Sequence, residues 1–374
     1  MDIKSKIAVV ITNRTNYSKL KLVLKELKEV ESIELQIIAS SSILLEKYGT
    51  PYRDLEADGY TIGAKVDCLL MNDSHEAMVN TAGLSMIQHS SYFSSFRPDL
   101  LLIVGDRYDT LSPALCASMM NIPMAHIQGG ETSGTIDNKV RDLISKISTL
   151  HFVATEKSKE RLKSWGIEGD RIYNFGCPAV EYISSLDVGS TFDPNCLKKT
   201  FKRPIDIGPE EEYFLVLVHP DTTNENDLSM DIILNAIEYY QKKAFVFYPN
   251  VDANNSKIIS HISKHRKNVL FYTIRHMPLE GFIHTMAHCC CMVGNSSAGI
   301  REAASFGVPV INIGKRQEDR ERNLNVIDVH CDEETIIAAI KTAMTLNLEN
   351  SNIYYKKRCS KKIAKEIVNF IENL

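Results

Sequence analysis

The sequence lacks a long hydrophobic run and a marked excess of charge of either sign. Its first apolar stretch, residues 7–11, is too short for a signal sequence or a membrane span. The 43 basic and 47 acidic residues give a formal net charge of -4, which provides no general attraction for nucleic acid or an anionic membrane. We therefore expect a soluble, unexported protein with neither nucleic acid nor membrane as partner.

The sequence also lacks cysteine pairs and the common nucleotide fingerprints. Its nine cysteines form no CxxC pair, and their odd number and mostly apolar neighbours are typical of reduced thiols in the cytoplasm. No GxGxxG follows a predicted strand, and no GxxxxGK precedes a serine or threonine. Nicotinamide and ATP chemistry thereby lose their best support.

Short aliphatic runs alternate with amphipathic segments from the first residues onward, which predicts βαβ units and parallel sheets. The predicted strands lie at 6–12, 33–39, 100–104, 123–128, 150–154, 172–174, 213–218, 244–248, 269–272, 290–293 and 309–313.

The regular alternation of predicted strands and helices is interrupted at one place in the chain, where glycine and proline residues occur among charged residues. At about 150 residues per domain, a chain of 374 residues is predicted to form two domains. We expect a Rossmann-like domain at 1–185, a linker at 186–212, a second Rossmann-like domain at 213–352 and a C-terminal helix at 353–374.

Three carboxylates are predicted to gather at strand ends of the first sheet. They belong to Asp106, Glu131 and Asp137. Open α/β sheets bind ligands at the carboxyl ends of their strands, and close carboxylates push their pKa values apart, which provides both an acid and a base. The structural alternative is an ion pair between Asp137 and Arg141, one helical turn later.

Two other segments at predicted strand ends suit a phosphate. Arg14 and Ser18 lie at a predicted helix N-terminus. Ser296 and Ser297 lie in a turn of small residues between a strand and a helix, and Glu302 can accept from ribose hydroxyls. The alternatives are a capped helix with a solvated arginine and a loop with a serine cap.

A histidine ends the first strand of the predicted second domain. This is His219, and the next residue, Pro220, has no N–H to continue the hydrogen-bond ladder of the strand. We expect His219 to face Asp106 across the cleft between the two domains, although a lone histidine is more often structural. Asn250 and Arg316 also follow predicted strands.

Together these segments resemble the hydrolysing UDP-N-acetylglucosamine 2-epimerases over nearly the whole chain. The matching segments are Asn13-Arg14, Tyr17-Ser18-Lys19-Leu20, Gly105-Asp106-Arg107, Gly129-Gly130-Glu131, Ser133-Gly134-Thr135-Ile136-Asp137, Gly176-Cys177-Pro178, His219-Pro220 with Thr222-Thr223, Pro249-Asn250 with Asp252-Ala253, Gly294-Asn295-Ser296-Ser297 with Arg301-Glu302, and Arg316-Gln317. The resemblance implies an α/β fold of GT-B type, with two doubly wound Rossmann-like domains facing across a cleft and a C-terminal helix that returns to the first. It also implies no metal, no cofactor, and a homo-oligomer, either a dimer or a tetramer.

The resemblance further implies a reaction and a role for each site residue. UDP-N-acetylglucosamine loses UDP across C1 and C2 to give a 2-acetamidoglycal, and water then adds to yield N-acetylmannosamine, the first step of sialic acid-type synthesis. Asp106, Glu131, Asp137 and His219 would act around the sugar, and a protonated His219 suits stabilisation of the departing diphosphate. The residues implied to hold UDP are Arg14, Ser18, Arg107, Asn250, Ser296, Ser297, Glu302 and Arg316.

One departure from the family pattern concerns Gln128, which stands where the family usually has a catalytic glutamate. A neutral amide cannot act as a base, so we expect Glu131 or Asp137 to exchange the proton and Gln128 to orient the substrate. Three further departures surround the same region, in the pairs Asp137-Asn138 and Arg141-Asp142 and in the segment Arg14-Thr15-Asn16-Tyr17. The alternatives are a nucleotide-linked 2,4-diacetamido-2,4,6-trideoxyglucose as substrate, a GT-B glycosyltransferase, and a non-catalytic nucleotide-sugar binding protein.

Overall fold

The computed structural model describes residues 4–46, 51–198, 200–201, 205–223 and 228–374. Residues 199 and 202–204 of the predicted linker therefore lie outside the described residues. The chain divides into two compact units. Unit 1 comprises Met1–Glu131, Ile136–Tyr182 and Tyr354–Leu374, and unit 2 comprises Thr132–Thr135 and Ile183–Ile353.

Unit 1 contains a parallel sheet that, in the described residues, has seven strands. They are β1 (Ser5–Ile11), β2 (Ile33–Ser40), β3 (Ile62–Val66), β4 (Leu100–Val104), β5 (Met124–Ile127), β6 (Leu150–Val153) and β7 (Ile172–Asn174). Its helices are α1 (Arg14–Lys28), α2 (Tyr52–Ala57), α3 (His75–Phe96), α4 (Tyr108–Met119), α5 (Ile136–Ile147), α6 (Glu156–Ser164) and α7 (Pro178–Ser184). Every residue of β1 from Ile7 onward and of β4 is buried, as expected of central strands covered on both faces.

Unit 2 contains a second parallel sheet, which has six strands in the described part of the chain. They are β8 (Tyr213–Leu217), β9 (Lys243–Phe247), β10 (Phe271–Ile274), β11 (Cys291–Gly294), β12 (Val310–Ile313) and β13 (Val326–Val329). The helices that accompany them are α8 (Met230–Glu238), α9 (Asn255–Lys264), α10 (Leu279–Ala287), α11 (Ser297–Arg301) and α12 (Glu333–Ala343).

Both sheets are doubly wound, which confirms the prediction. The strand order is β3-β2-β1-β4-β5-β6-β7 in unit 1 and β10-β9-β8-β11-β12-β13 in unit 2. The winding direction reverses between β1 and β4 in one sheet and between β8 and β11 in the other. Ligands of such sheets bind outside the carboxyl ends of the strands at this reversal, so the two reversals direct attention to the loops that follow these four strands.

The last helix, α13 (Cys359–Glu372), packs on unit 1, as the fold-class prediction requires. Its buried residues Cys359, Ile363, Ile367 and Ile371 recur every four positions and join the same hydrophobic cluster as Leu20 of α1. This spacing places them on one helical face, and the lysines of the segment lie elsewhere. The basic amphipathic pattern is therefore that of a docked surface helix.

The strands that sequence patterning missed are both at sheet edges. Strand β3 alternates half-buried and exposed residues before the buried Val66, and β13 has no buried residue. Edge strands carry less apolar sequence than central ones, so their signal is weaker. No helix of the described residues has the length and apolar character needed to cross a membrane.

Three histidines are buried in the described part of unit 1, and burial lowers the pKa of each. The pKa of His89 and of His126 falls to about 4, and that of His151 to about 3. His126 and His151 are partners in the β5–β6 register, so a charge on one ring also lowers the pKa of the other. All three rings are neutral in the folded protein near pH 7.

We predict that unit 1 loses stability in mild acid. Unfolded histidines take up protons near pH 6.5, whereas the buried rings do so only near pH 4 or below, so stability is complete above about pH 6.5 and falls as pH drops toward about 4. The loss at about pH 5 is on the order of 2 kcal/mol for each ring. Urea unfolding at about pH 7.5 and about pH 5, followed through the single tryptophan, Trp165, measures it.

The variant His89→Phe should show a smaller difference between the two pH values, because phenylalanine binds no proton. His330 is exposed, so His330→Gln is the matched control and should keep the full difference. A His89→Phe protein with the same pH dependence as wild type would contradict the prediction.

Candidate functional site

In unit 1 the three predicted carboxylates all interact electrostatically with the buried guanidinium of Arg141. Arg141 is 1% exposed and forms an ion pair through Nη2 with Asp106. Burial lowers the pKa of Arg141, but the charges of Asp106, Glu131 and Asp137 more than offset it and raise the pKa above its ordinary value. Arg141 is therefore a cation that forms an ion pair with Asp106, and the charge of Asp137, the partner considered from sequence, also acts on it.

Glu131 is held through its backbone carbonyl. This oxygen accepts hydrogen bonds from Nη1 of Arg141 at 2.9 Å and from Nη1 of Arg161 at 2.8 Å. Arg161 is itself held by the Asp142 carboxylate at 3.0 and 2.9 Å and stacks on Trp165. Sequence analysis did not identify Arg161, because its contact with Glu131 spans 30 residues.

Gln128 adopts a backbone conformation that is uncommon for a residue other than glycine. Its φ is 68°, and its N–H donates to the Phe152 carbonyl at 2.9 Å. The side-chain Nε2 donates to Sγ of Cys177 at 3.0 Å, while Oε1 is buried without a hydrogen-bond partner among the described residues. A positive φ and an orphaned buried acceptor at one residue are features that cluster at functional sites.

His126 supports the turn that carries Asp106. Its Nε2 lies 3.0 Å from the Gly105 carbonyl oxygen and its Nδ1 3.2 Å from Oγ of Ser145. A neutral ring has one N–H, and the carbonyl can only accept, so Nε2 donates to Gly105 and Nδ1 accepts from the serine hydroxyl. The low pKa of His126, caused by burial, keeps this arrangement at neutral pH.

The loops after β1 and β4 are tied together at the first sheet's reversal. Oδ1 of Asn16 accepts from the Thr12 N–H at 3.1 Å, and Nδ2 of Asn16 donates to the Val104 carbonyl at 3.3 Å. Asp109, buried at the start of α4, accepts from the hydroxyl of Thr12 and lies 3.6 Å from Nε of Arg107. Arg107, which is predicted to bind UDP, therefore has its guanidinium next to a carboxylate of its own unit.

The remaining predicted residues of unit 1 lie near the N-termini of two helices. Arg14 is the first residue of α1 and is half-buried; burial lowers its pKa, and the charge of Asp54 opposes that effect. Ser18 donates its hydroxyl to the Thr15 carbonyl at 2.9 Å, a contact within the helix. Asp137 is half-buried in the first turn of α5.

In unit 2 the reversal between β8 and β11 brings His219 and Asn295 together. Oδ1 of Asn295 accepts from the His219 N–H at 2.8 Å, and its Nδ2 donates to the His219 carbonyl at 2.8 Å. The Asn295 carbonyl accepts from Nη1 of Arg316 at 3.1 Å and from Nε2 of Gln317 at 3.0 Å. His219 and Arg316, predicted separately, are therefore joined by one asparagine that sequence analysis did not select.

The ring of His219 accepts a hydrogen bond at Nδ1 from the backbone N–H of Asn250, at 3.2 Å. A nitrogen that accepts cannot carry a proton, so this bond assigns the neutral ring with its hydrogen on Nε2. The protonated His219 expected from the resemblance would lose the bond. Asn250 thus contacts His219 through its backbone N–H.

The serine turn after β11 starts a short α-helix. Ser296 is the N-cap of α11 and accepts from the Ala298 N–H at 3.3 Å, and Ser297 is the first helical residue. The α-helix spans five residues and is followed by a 3-10 turn, so Glu302 lies at the end opposite the serines. Within the described ranges, no group of three or more His, Cys, Asp or Glu residues is arranged to hold a metal ion.

Comparisons with known proteins identify the family and the fold. A sequence model of the family described as UDP-N-acetylglucosamine 2-epimerase matches residues 25–368. The chain is 32% identical over 360 residues to the UDP-N,N'-diacetylbacillosamine 2-epimerase (hydrolyzing) of Legionella pneumophila, covering 96% of this chain and 94% of that protein. It is 31% identical over 333 residues to the GDP/UDP-N,N'-diacetylbacillosamine 2-epimerase (hydrolyzing) of Campylobacter jejuni, covering 87% and 84%.

The fold is similar to a solved structure, that of UDP-GlcNAc 2-epimerase from Neisseria meningitidis bound to UDP-GlcNAc. The TM-score is 0.78 at 20% identity, and the match covers 97% of this chain and 100% of the Neisseria chain. This likeness confirms the predicted GT-B fold class.

We predict that Arg141→Gln destabilises unit 1 by about 3 kcal/mol, because it leaves the Asp106 carboxylate close to two others without their buried cation. Lys163→Gln, which removes an exposed ion pair with Glu160 on α6, is the control and should cost no more than about 0.5 kcal/mol. Denaturant unfolding followed by Trp165 fluorescence compares them. Equal losses in the two variants would show that Arg141 does not hold the carboxylates together.

Proposed function

The chain belongs to the UDP-N-acetylglucosamine 2-epimerase family, and we propose that it is a hydrolysing 2-epimerase that releases UDP from a UDP-linked 2-acetamido sugar. The observation that carries this proposal is the cluster of Asp106, Glu131 and Asp137 around the buried cation of Arg141. Carboxylates held at fixed positions supply the groups that remove a proton from one face of a sugar and return it from the other.

The substrate that we place first is UDP-N,N'-diacetylbacillosamine, whose sugar is a 2,4-diacetamido-2,4,6-trideoxyglucose. The relatives from Legionella and Campylobacter, at 32% and 31% identity, are named for it. The buried Oε1 of Gln128 is an acceptor of the kind that an acetamide N–H needs. UDP-N-acetylglucosamine, with N-acetylmannosamine as product, is the second candidate, and the name of the family supports it.

In the first step, the bond between C1 and the diphosphate oxygen breaks, and UDP leaves with the electron pair. No carbonyl adjoins C2, so its proton becomes acidic only as C1 acquires cationic character. Glu131 or Asp137 takes that proton, and the C1–C2 double bond of the glycal forms. Gln128, a neutral amide, orients the sugar and exchanges no proton.

In the second step, water adds to C1 of the glycal while C2 receives a proton on the opposite face. The products are UDP and the free sugar with inverted configuration at C2. Departure of the diphosphate requires stabilisation of its negative charge, which Arg14 and Arg316 supply as cations and His219 supplies through its Nε2–H. The other residues proposed to hold UDP are Ser18, Arg107, Asn250, Ser296, Ser297 and Glu302.

Three further predictions belong to this proposal. The reaction needs no cofactor and no metal, the protein is cytoplasmic, and it assembles as a homo-oligomer, either a dimer or a tetramer.

We predict that the protein, incubated in deuterated water with each UDP-sugar and without metal or acceptor, releases UDP and a free 2-epimer deuterated at C2. Proton and phosphorus NMR time courses follow both products. The kcat/KM for UDP-N,N'-diacetylbacillosamine should exceed that for UDP-N-acetylglucosamine by about 10-fold or more, which corresponds to the loss of a matched polar contact. A higher kcat/KM for UDP-N-acetylglucosamine would make that sugar nucleotide the preferred substrate instead.

Two outcomes of this experiment would reject hydrolytic epimerisation altogether. UDP binding with both sugar nucleotides left intact would favour a non-catalytic binding protein, and sugar transfer only after an acceptor is added would favour a glycosyltransferase.

We predict that the double variant Glu131→Gln, Asp137→Asn loses about 100-fold or more in kcat while still binding UDP, because isosteric amides cannot exchange the C2 proton. The two single variants identify which carboxylate dominates. Glu160→Gln, an exposed residue of α6, is the control and should retain full activity. Full activity in the double variant would remove both residues from proton transfer.

A further inference from the structure

The side chain of Asn295 takes the place of a backbone group at the end of the β8–β11 ladder. The two strands are parallel and in register up to Gly294 and Leu217, and the Asn295 N–H extends the ladder by donating to the Leu217 carbonyl at 3.2 Å. In a regular parallel ladder, the Asn295 carbonyl would next accept from the His219 N–H. Its side-chain Oδ1 accepts that N–H instead, and Nδ2 binds the His219 carbonyl.

The turn at Gly294 directs the Asn295 carbonyl to a different partner. Gly294 has a φ of +145°, and a Cβ there would lie 2.1 Å from the Leu217 carbonyl oxygen, so only glycine fits. The carbonyl that leaves the ladder accepts from Arg316 and Gln317. One residue therefore binds the backbone of His219 with its side chain and the guanidinium of Arg316 with its backbone.

Burial makes this arrangement rigid. Asn295 is 1% exposed, and its N–H, its carbonyl oxygen, its Oδ1 and its Nδ2 all have partners. Breaking one of these bonds would leave a buried polar group without a partner, which is unfavourable. The His219 ring adds a further constraint, since its Nδ1 accepts from the Asn250 N–H.

We propose that Asn295 is a positioning residue that sets the geometry of His219 and Arg316 together. It acts through these two residues and donates no group to the substrate. With the His219 backbone held on both sides and Nδ1 occupied, the ring presents its Nε2–H in one direction. This inference rests on the proposed function, in which His219 and Arg316 stabilise the departing diphosphate.

The variant Asn295→Asp tests the proposal with a minimal change of shape. The carboxylate keeps an acceptor for the His219 N–H, but it replaces the Nδ2 donor with an oxygen that faces the His219 carbonyl. The backbone contact to Arg316 survives. We expect kcat to fall about 100-fold, as for a catalytic group misplaced by about 1 Å, while KM changes by no more than about threefold.

Asn325→Asp is the matched control. Asn325 is also buried, 3% exposed, and its Nδ2 donates to a backbone carbonyl, that of Val308, at 2.7 Å. It is not among the predicted site residues. The control should lose stability through the same chemical change and keep kcat within about twofold of wild type.

A second readout needs no turnover. Nitrogen NMR of histidine-labelled protein, with the His219 signals assigned from their absence in His219→Gln, should show an unprotonated Nδ1 and a protonated Nε2 in wild type. Asn295→Asp should show a mixture of the two tautomers, whereas Asn325→Asp should keep the wild-type signals. If Asn295→Asp does not fold, Asn295→Ser, which also lacks the Nδ2 donor, takes its place.

The proposal is wrong if the Asn295 variant matches the Asn325 control in kcat and retains the wild-type His219 signals. A wild-type protein that releases no UDP from either sugar nucleotide would refute the proposed function instead. The nitrogen spectra would then still decide whether Asn295 sets the His219 ring.

Discussion

The carboxylate cluster of unit 1 depends on one buried cation. Arg141 is almost wholly enclosed, and its positive charge offsets the repulsion among the carboxylates of Asp106, Glu131 and Asp137. The same guanidinium binds the Glu131 carbonyl, so it fixes both the charge balance and the backbone of the loop. Charge, geometry and candidate chemistry in this unit follow from a single side chain placed by the first turns of α5.

In both sheets, an asparagine side chain binds backbone groups at the point where the winding reverses. The strands end there, and backbone groups that lose their ladder partners need others. In unit 1 the amide of Asn16 accepts from the Thr12 N–H and donates to the Val104 carbonyl; in unit 2 the amide of Asn295 binds the N–H and carbonyl of His219. An asparagine side chain carries one acceptor and one donor, so it can replace a peptide group at either position.

Much of the fold was predictable from local patterns. Each predicted strand begins and ends within two residues of an observed one, because central strands of parallel sheets are continuous apolar runs. The edge strands β3 and β13 were not predicted, because half-exposed strands have a weaker apolar pattern in the sequence. Local patterns do not show where α11 ends: the α-helix starts at Ser297 and stops at Arg301, and a 3-10 turn follows at Ala303–Phe306.

The sequence by itself determined the α/β class, the doubly wound sheets, and the placement of Asp106, Glu131, His219 and Ser296 after strands. These properties depend on residues that are neighbours along the chain. Only the tertiary structure decided the partners, because hydrogen bonds and ion pairs join residues far apart in sequence: Arg141 pairs with Asp106 across 35 positions, and Asn295 holds His219 across 76. No spacing rule extends over such separations. The bonds between Asn295 and His219 form only because β8 lies beside β11, and the bond from Asn250 to the His219 ring forms only because β8 lies beside β9.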